Sequence, residues 1–178
     1  GEAADIVTVS HEHSDHNNAG AVKGKPQVVK GPGSQTVKGV VIVGVPAYHD
    51  ANKGVQRGQN TLFSITVDGV RIAHMGDLGH PLEDKAHAEL GEVDILLTPV
   101  GGNYTIDGST ASKLADALKA RVVIPMHFRT AHCAYPIADA EAFLKERKNV
   151  RRIDGSEVEF TRESLPRAAE TVVLKPAL

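Results

Sequence analysis

Two periods organise the apolar residues of this chain. Within 61–67, Leu62, Ser64 and Thr66 alternate with Phe63, Ile65 and Val67, the period of two expected of a strand with two distinct faces. Asp68-Gly69 follows, and the apolar run resumes over 70–75, which predicts a hairpin through a tight turn. Residues 6–10, 27–30, 40–45, 93–98 and 122–126 are short runs rich in Val and Ile that read as further strands. The spacing becomes helical over 109–119, where Ala111, Leu114, Ala115 and Leu118 share a face and Asp107 or Ser109 can cap the start. Ile137, Ala140, Phe143 and Leu144 repeat that spacing, and 17–23 predicts a short helix. Gly31-Pro32-Gly33-Ser34 reads as a breaker, and strands over 150–153, 158–161 and 171–174 close the chain. Strand dominates the first half and mixes with helix in the second, which predicts an α/β fold of sheets covered by helices.

Length and charge narrow this picture. The 178 residues, 41% hydrophobic and 24% charged, suffice for one domain, expected to span 1–178. A net charge of -2 with no block of like charges gives no track for a large nucleic acid and no basic face for a membrane. One cysteine, Cys133, excludes an intrachain disulfide and suits a reducing compartment. No apolar run approaches the roughly 20 residues of a membrane span. The expectation is a cytoplasmic protein.

The chemistry concentrates at strand ends. His11-Glu12-His13-Ser14-Asp15-His16 places four metal-competent side chains within six residues, directly after the strand 6–10. Residues two apart in extended backbone project to one side, so His11 and His13 can grip one ion while Asp15 and His16 turn to a second. His49, Asp77 and His127 follow the predicted strands 40–45, 70–75 and 122–126. Strand ends gather at one sheet edge, where Asp77 can bridge two cations and imidazoles complete each shell. Seven such ligands suit two divalent ions, with a water or hydroxide shared between them as the attacking group of a hydrolysis. His80 is a candidate second layer or substrate contact, and Tyr104 a candidate proton or hydrogen-bond donor to a leaving group. His132 is a weaker rim candidate. His74 reads as a satisfied sheet histidine, His87 as solvent-facing and Cys133 as a loop thiol.

The run His11 to His16 resembles the His-x-His-x-Asp-His signature of the metallo-β-lactamase superfamily. Tyr48-His49-Asp50, Gly76-Asp77-Leu78-Gly79-His80, Pro99-Val100-Gly101-Gly102 and Ile124-Pro125-Met126-His127-Phe128 are similar to the ascorbate 6-phosphate lactonase-like branch of that superfamily. The resemblance implies an αββα sandwich and a dinuclear hydrolase. It implies that His11, His13 and His49 hold the first metal, that Asp15, His16 and His127 hold the second, and that Asp77 bridges. Asp15 would also orient the attacking hydroxide and accept its proton. Zinc is the expected metal, with manganese, iron or nickel also suited to mixed imidazole and carboxylate ligands. Members of the family usually carry several strands before the first motif, and this chain has almost none there. The resemblance therefore implies a sandwich lacking its N-terminal strands, with an exposed edge that favours homo-oligomers.

Position 13 is His where the flavo-diiron reductases of the superfamily use Glu, which favours hydrolysis over iron redox work. Fifty residues between Asp77 and His127 are too few for the inserted domain of the nucleic-acid-cleaving branches, and no helical domain follows as in the glyoxalase II branch. The implied substrate is a small ester, lactone or phosphate-bearing molecule. The alternatives are a phosphodiesterase acting on nucleotides or short oligonucleotides, and a non-catalytic metal- or metabolite-binding protein of the same fold.

Overall fold

A computed structural model describes residues 3–177. The described residues form ten strands and three α-helices, with the helices confined to residues 84–144. Strands β1 (Ile6–Val9) and β2 (Gln27–Lys30) form a parallel pair separate from the rest. The others make one sheet from β3 (Gly33–Val37), β4 (Val40–Tyr48), β5 (Gln59–Val67), β6 (Val70–His74), β7 (Ile95–Pro99), β8 (Val122–Met126), β9 (Val150–Arg152) and β10 (Glu170–Val173). Their order is β3-β4-β5-β6-β7-β8-β10-β9, antiparallel from β3 to β6 and parallel from there to β9. In the meander half, β3–β4 and β5–β6 are joined by two-residue turns, and β4–β5 by the longer loop 49–58. Asp68 and Gly69, with φ of 49° and 74°, make the two-residue turn that the Asp-Gly pair predicts.

The alternation along the strands sorts the core onto two faces. Leu62, Ala73, Leu96, Val123 and Val173 point to one face. There they meet the apolar sides of α1 (Asp84–Leu90), α2 (Gly108–Leu118) and α3 (Glu141–Leu144). Ala111, Leu114, Ala115 and Leu118 of α2 are buried as their spacing predicts, and Asp107 caps the helix by accepting the Thr110 N–H at 2.8 Å. On the opposite face, Ile42 and Phe63 pack under Val29 of β2 and Ile6 of β1. Farther along the same face, Val122 and Val172 pack with Val158, Phe160 and Leu165 of the C-terminal segment. The result is a mixed sheet with helices on one side and a small second β layer on the other.

Several expected elements change form. The helix expected over 17–23 is a single 3-10 turn, Ala19–Ala21, because three residues without buried side chains cannot sustain an α-helix. The breaker at 31–34 runs directly into β3, an edge strand whose only buried side chain is Val37. The segment 158–161 turns Val158 and Phe160, both half-buried, against the sheet in alternation, yet pairs with no strand among the described residues, so the period is right and the partner is missing. The helix expected from Ile137 begins only at Glu141, after a turn that buries Ile137 and Ala140. Among the described residues no helix is long and apolar enough to cross a membrane.

Candidate metal centre

Asp77 is the hub of the site. It lies just beyond the end of β6, is buried, and has four imidazole nitrogens around its carboxylate. His49 Nε2 is 3.1 Å from Oδ2, His127 Nε2 is 3.6 Å and His11 Nε2 is 3.9 Å from the same oxygen, while His16 Nε2 is 3.4 Å from Oδ1. The carboxylate thus turns one oxygen to each side. Burial pushes its acidity down, but the His49 hydrogen bond and the neighbouring imidazoles outweigh this and hold the pKa at about 2.

Two groups of convergent donors, sharing His11, gather around this carboxylate. His11, His13 and His49 bring ligand atoms within 4.8 Å of one another, and so do His11, His16 and Asp77. The ring contacts orient the imidazoles. His49 Nδ1 donates to the Tyr104 carbonyl at 3.1 Å, which fixes the ring with Nε2 turned to Asp77. His11 Nδ1 is 3.0 Å from Ser10 Oγ, and its Nε2 is buried without any hydrogen-bond partner. Burial, reinforced by His16, pushes the His11 pKa down to about 4, so its ring is neutral near pH 7, the form that binds a metal. A buried, neutral, unpartnered nitrogen facing a carboxylate costs stability unless something fills the place. A divalent cation meets that need, and the donor set of imidazole and carboxylate fits zinc and its neighbours.

Residues not expected to bind the metal hold this geometry. Asn60 in β5 accepts the Asp77 N–H through Oδ1 at 3.1 Å and donates Nδ2 to the Met75 carbonyl at 2.9 Å. Thr61 N–H donates to the Ser10 carbonyl at 2.7 Å, tying β5 to the loop that carries the histidine run. Gly76, at φ 51°, admits no side chain: a Cβ there would lie 2.3 Å from Asn60 Oδ1 and 2.8 Å from Ser10 Cβ. Asp50, buried beside His49, accepts four backbone N–H groups, from Asn52, Gly54, Gln56 and Arg57, at 2.7–3.0 Å. These bonds hold its carboxyl below the usual range against the opposing effect of burial. In the sequence, Asn60 shows only as a polar residue heading an apolar strand, while Gly76 and Asp50 fall within the motifs that flank candidate ligands.

The remaining expected residues have definite places. Asp15 has a side chain 67% exposed, with Oδ2 3.9 Å from His16 Nε2, outside both compact donor groups. His127 also stands outside both groups, at φ 50° just past the end of β8, with Nε2 directed to Asp77. Both line a cavity of about 270 Å³ together with His13, His49 and Asp77. Tyr104 completes one wall of that cavity, joined by Arg57 and Tyr135. His80 is not brought to it. Its Nε2 accepts the Tyr48 N–H at 3.2 Å and its Nδ1 donates to the Pro81 carbonyl at 2.8 Å, so both nitrogens are committed to the loop. His132 is exposed and off the cavity wall, while Tyr135 from the same loop reaches it. His74 is a satisfied sheet histidine whose Nδ1 accepts the Gly76 N–H at 3.0 Å.

The fold and this histidine and aspartate cluster are those of a metallo-β-lactamase-type domain, and residues 1–127 match the beta-lactamase superfamily domain. A UPF0173 metal-dependent hydrolase from Pyrococcus abyssi is 34% identical over 167 residues, covering 79% of this chain and 73% of the relative. A second, from Pyrococcus horikoshii, is 30% identical and covers 97% of this chain and 79% of its own. Among solved structures, a candidate zn-dependent hydrolase of the metallo-beta-lactamase superfamily from Thermotoga maritima superposes with a TM-score of 0.84. It is 38% identical and covers 97% of this chain and 82% of that one. The chain belongs to the metallo-β-lactamase superfamily, within its UPF0173 family of metal-dependent hydrolases.

Proposed function

We propose that this chain hydrolyses a small ester, lactone or phosphate-bearing substrate with the help of two divalent metal ions. The observation that carries the reading is the environment of Asp77, whose two carboxylate oxygens face different imidazoles while His11 Nε2 lies buried and unpartnered beside it. His11, His13 and His49 would hold one ion, Asp15, His16 and His127 the other, and Asp77 both. Such a pair of ions lowers the pKa of water and stabilises the negative charge that develops in hydrolysis.

The chain's own groups do the rest. Asp15 places an exposed carboxylate on the cavity wall, where it can accept a proton from an attacking water. Tyr104 lines the same cavity, and its hydroxyl would donate to the leaving oxygen as the bond breaks. The Tyr104 carbonyl orients His49, so one residue serves both the ligand and the substrate side. A cavity of about 270 Å³ lies at the small end of ligand pockets, which supports a small-molecule substrate over a polymer.

The test pairs metal content with turnover. Protein prepared without chelators is expected to carry about two equivalents of a transition metal by inductively coupled plasma mass spectrometry, with zinc the expected ion. It is expected to turn over at least one member of a panel of esters, lactones and phosphodiesters. Asp77→Ala is expected to lose both properties together. A metal-loaded protein inert across the whole panel, or an Asp77→Ala variant with full activity, would overturn the reading.

A further inference from the structure

We infer that Arg57 is the specificity-determining residue of this site, an anchor that selects substrates carrying a carboxylate or phosphate group away from the scissile bond. The inference rests on the hydrolase reading and names the substrate class it leaves open. Arg57 is the one lysine or arginine on the wall of the cavity that holds the metal-ligand candidates. Its guanidinium has no carboxylate within 4 Å among the described residues and makes no side-chain hydrogen bond. Arg71, Arg147, Arg151 and Arg152 each pair with an acid instead. The two acids of the cavity are turned elsewhere, Asp15 to His16 and Asp77 to the imidazoles. An unneutralised guanidinium, half-buried beside a catalytic cavity, presents five N–H donors in a fork that matches an oxyanion.

The surroundings hold that fork in place. The Arg57 N–H donates to Asp50 Oδ2 at 2.7 Å, and the carbonyl of the next residue, Gly58, accepts the His49 N–H at 3.0 Å. Arg57 is therefore fixed to the same backbone that carries a metal ligand. Its Cζ lies 5.3 Å from the centroid of the Tyr104 ring, and Tyr135 meets Tyr104 edge-on at 6.3 Å between centroids. A contact with an aromatic face uses none of the guanidinium's N–H groups in a hydrogen bond to an oxygen, so they stay free for a ligand. Lys30 on the adjoining cleft offers no rival anchor, because it pairs with Glu12 and Asn17.

The test uses the zinc-loaded full chain and three amides of similar size: N-ethylsuccinamate, which bears a carboxylate; 2-acetamidoethyl phosphate, which bears a phosphate; and N,N′-diethylsuccinamide, which bears neither. Isothermal titration calorimetry is expected to show one or both anionic amides bound at least tenfold more tightly than the neutral one. The preferred anion identifies the headgroup. Arg57→Met, which keeps the stem and removes the charge, is expected to cut that preference about 10- to 100-fold. Arg57→Lys is expected to restore part of it, since a point charge replaces the bidentate fork. Absence of anion preference in the wild type, or its persistence in Arg57→Met, overturns the inference. Hydrolysis of the matching esters is scored separately. Anion selectivity without turnover by any protein would leave the anchor standing and sink the hydrolase reading, and turnover without selectivity would do the reverse.

Discussion

Truncating Asn60 separates support of the metal centre from stability in general. Asn60 is 1% exposed and makes two hydrogen bonds, one to each side of the turn that presents Asp77. In Asn60→Ala the Met75 carbonyl keeps a partner, because the Leu78 N–H also donates to it at 3.2 Å. The buried Asp77 N–H keeps none. An orphaned buried donor costs about 1–3 kcal/mol and the lost Nδ2 bond about 1 kcal/mol, so the variant is expected to lose roughly 2–4 kcal/mol. Leu118→Ala, in the core of α2 at 5% exposure, costs roughly 2–5 kcal/mol and serves as a matched control distant in role from the ligands. Urea unfolding in chelator gives both losses, and competition with a chromophoric chelator gives zinc affinity. Asn60→Ala is expected to weaken zinc binding about 10- to 100-fold, as removal of a group that orients a ligand does, while Leu118→Ala leaves it near wild type. Equal zinc affinities in the two variants, or a stability loss below about 1 kcal/mol for Asn60→Ala, would refute the assignment.

Two further perturbations test the frame. A Cβ at Gly79 would lie 2.3 Å from the His49 carbonyl carbon and 2.4 Å from the Asp50 nitrogen, so Gly79→Ala must push the 76–80 turn away from the end of β4. Calorimetric melting is expected to show an overpacking cost of about 1–3 kcal/mol, and zinc titration a weaker site; unchanged zinc affinity would mean that the two backbones part without moving His49 or Asp77. Asp94 is buried, which pushes its carboxyl up, but the Arg71 backbone N–H at 2.9 Å and Nε at 3.2 Å prevail and hold its pKa below the usual value. A depressed carboxyl contributes stability above the unfolded pKa of about 3.8 that is lost as pH falls through the folded value. The stability difference between wild type and Asp94→Asn in chelator is thus expected to be largest near pH 6 and to shrink below pH 4, and a difference constant with pH would refute the linkage.

Those elements were legible in the sequence whose period and partners are both local. The hairpin at Asp68-Gly69 and the helix capped by Asp107 follow from residues within a few positions of one another. Strand β8 lies where its Val and Ile residues predict, and β2 does as well. Elements that depend on distant partners were not legible. β3 carries mostly exposed polar residues and pairs because β4 lies beside it, whereas 158–161 has the right alternation but lies against a sheet face and joins no strand. Pairing is a property of the assembled sheet, and alternation alone does not report it.

The same division runs through the site. The candidate ligands were readable because a metal demands its donors outright, so a chain that binds one must spell them as residues such as His and Asp, and four of them fall within one loop. What places those donors is spelled in residues that mean something else anywhere else. Asn60 heads a strand and Gly76 flanks a candidate ligand, yet both act across contacts between segments far apart in the chain, while Asp50 gathers the loop 52–57 beside His49. Arg57 belongs to this second group. Its neighbours Gln56 and Gly58 carry no motif, and its role emerges only when the loop folded around Asp50 sets a free guanidinium over Tyr104, 47 positions later in sequence. Metal chemistry can therefore be assigned from a short motif, whereas the choice of substrate depends on tertiary contacts, so relatives that share the histidine run can differ in what they bind wherever the loop after His49 differs.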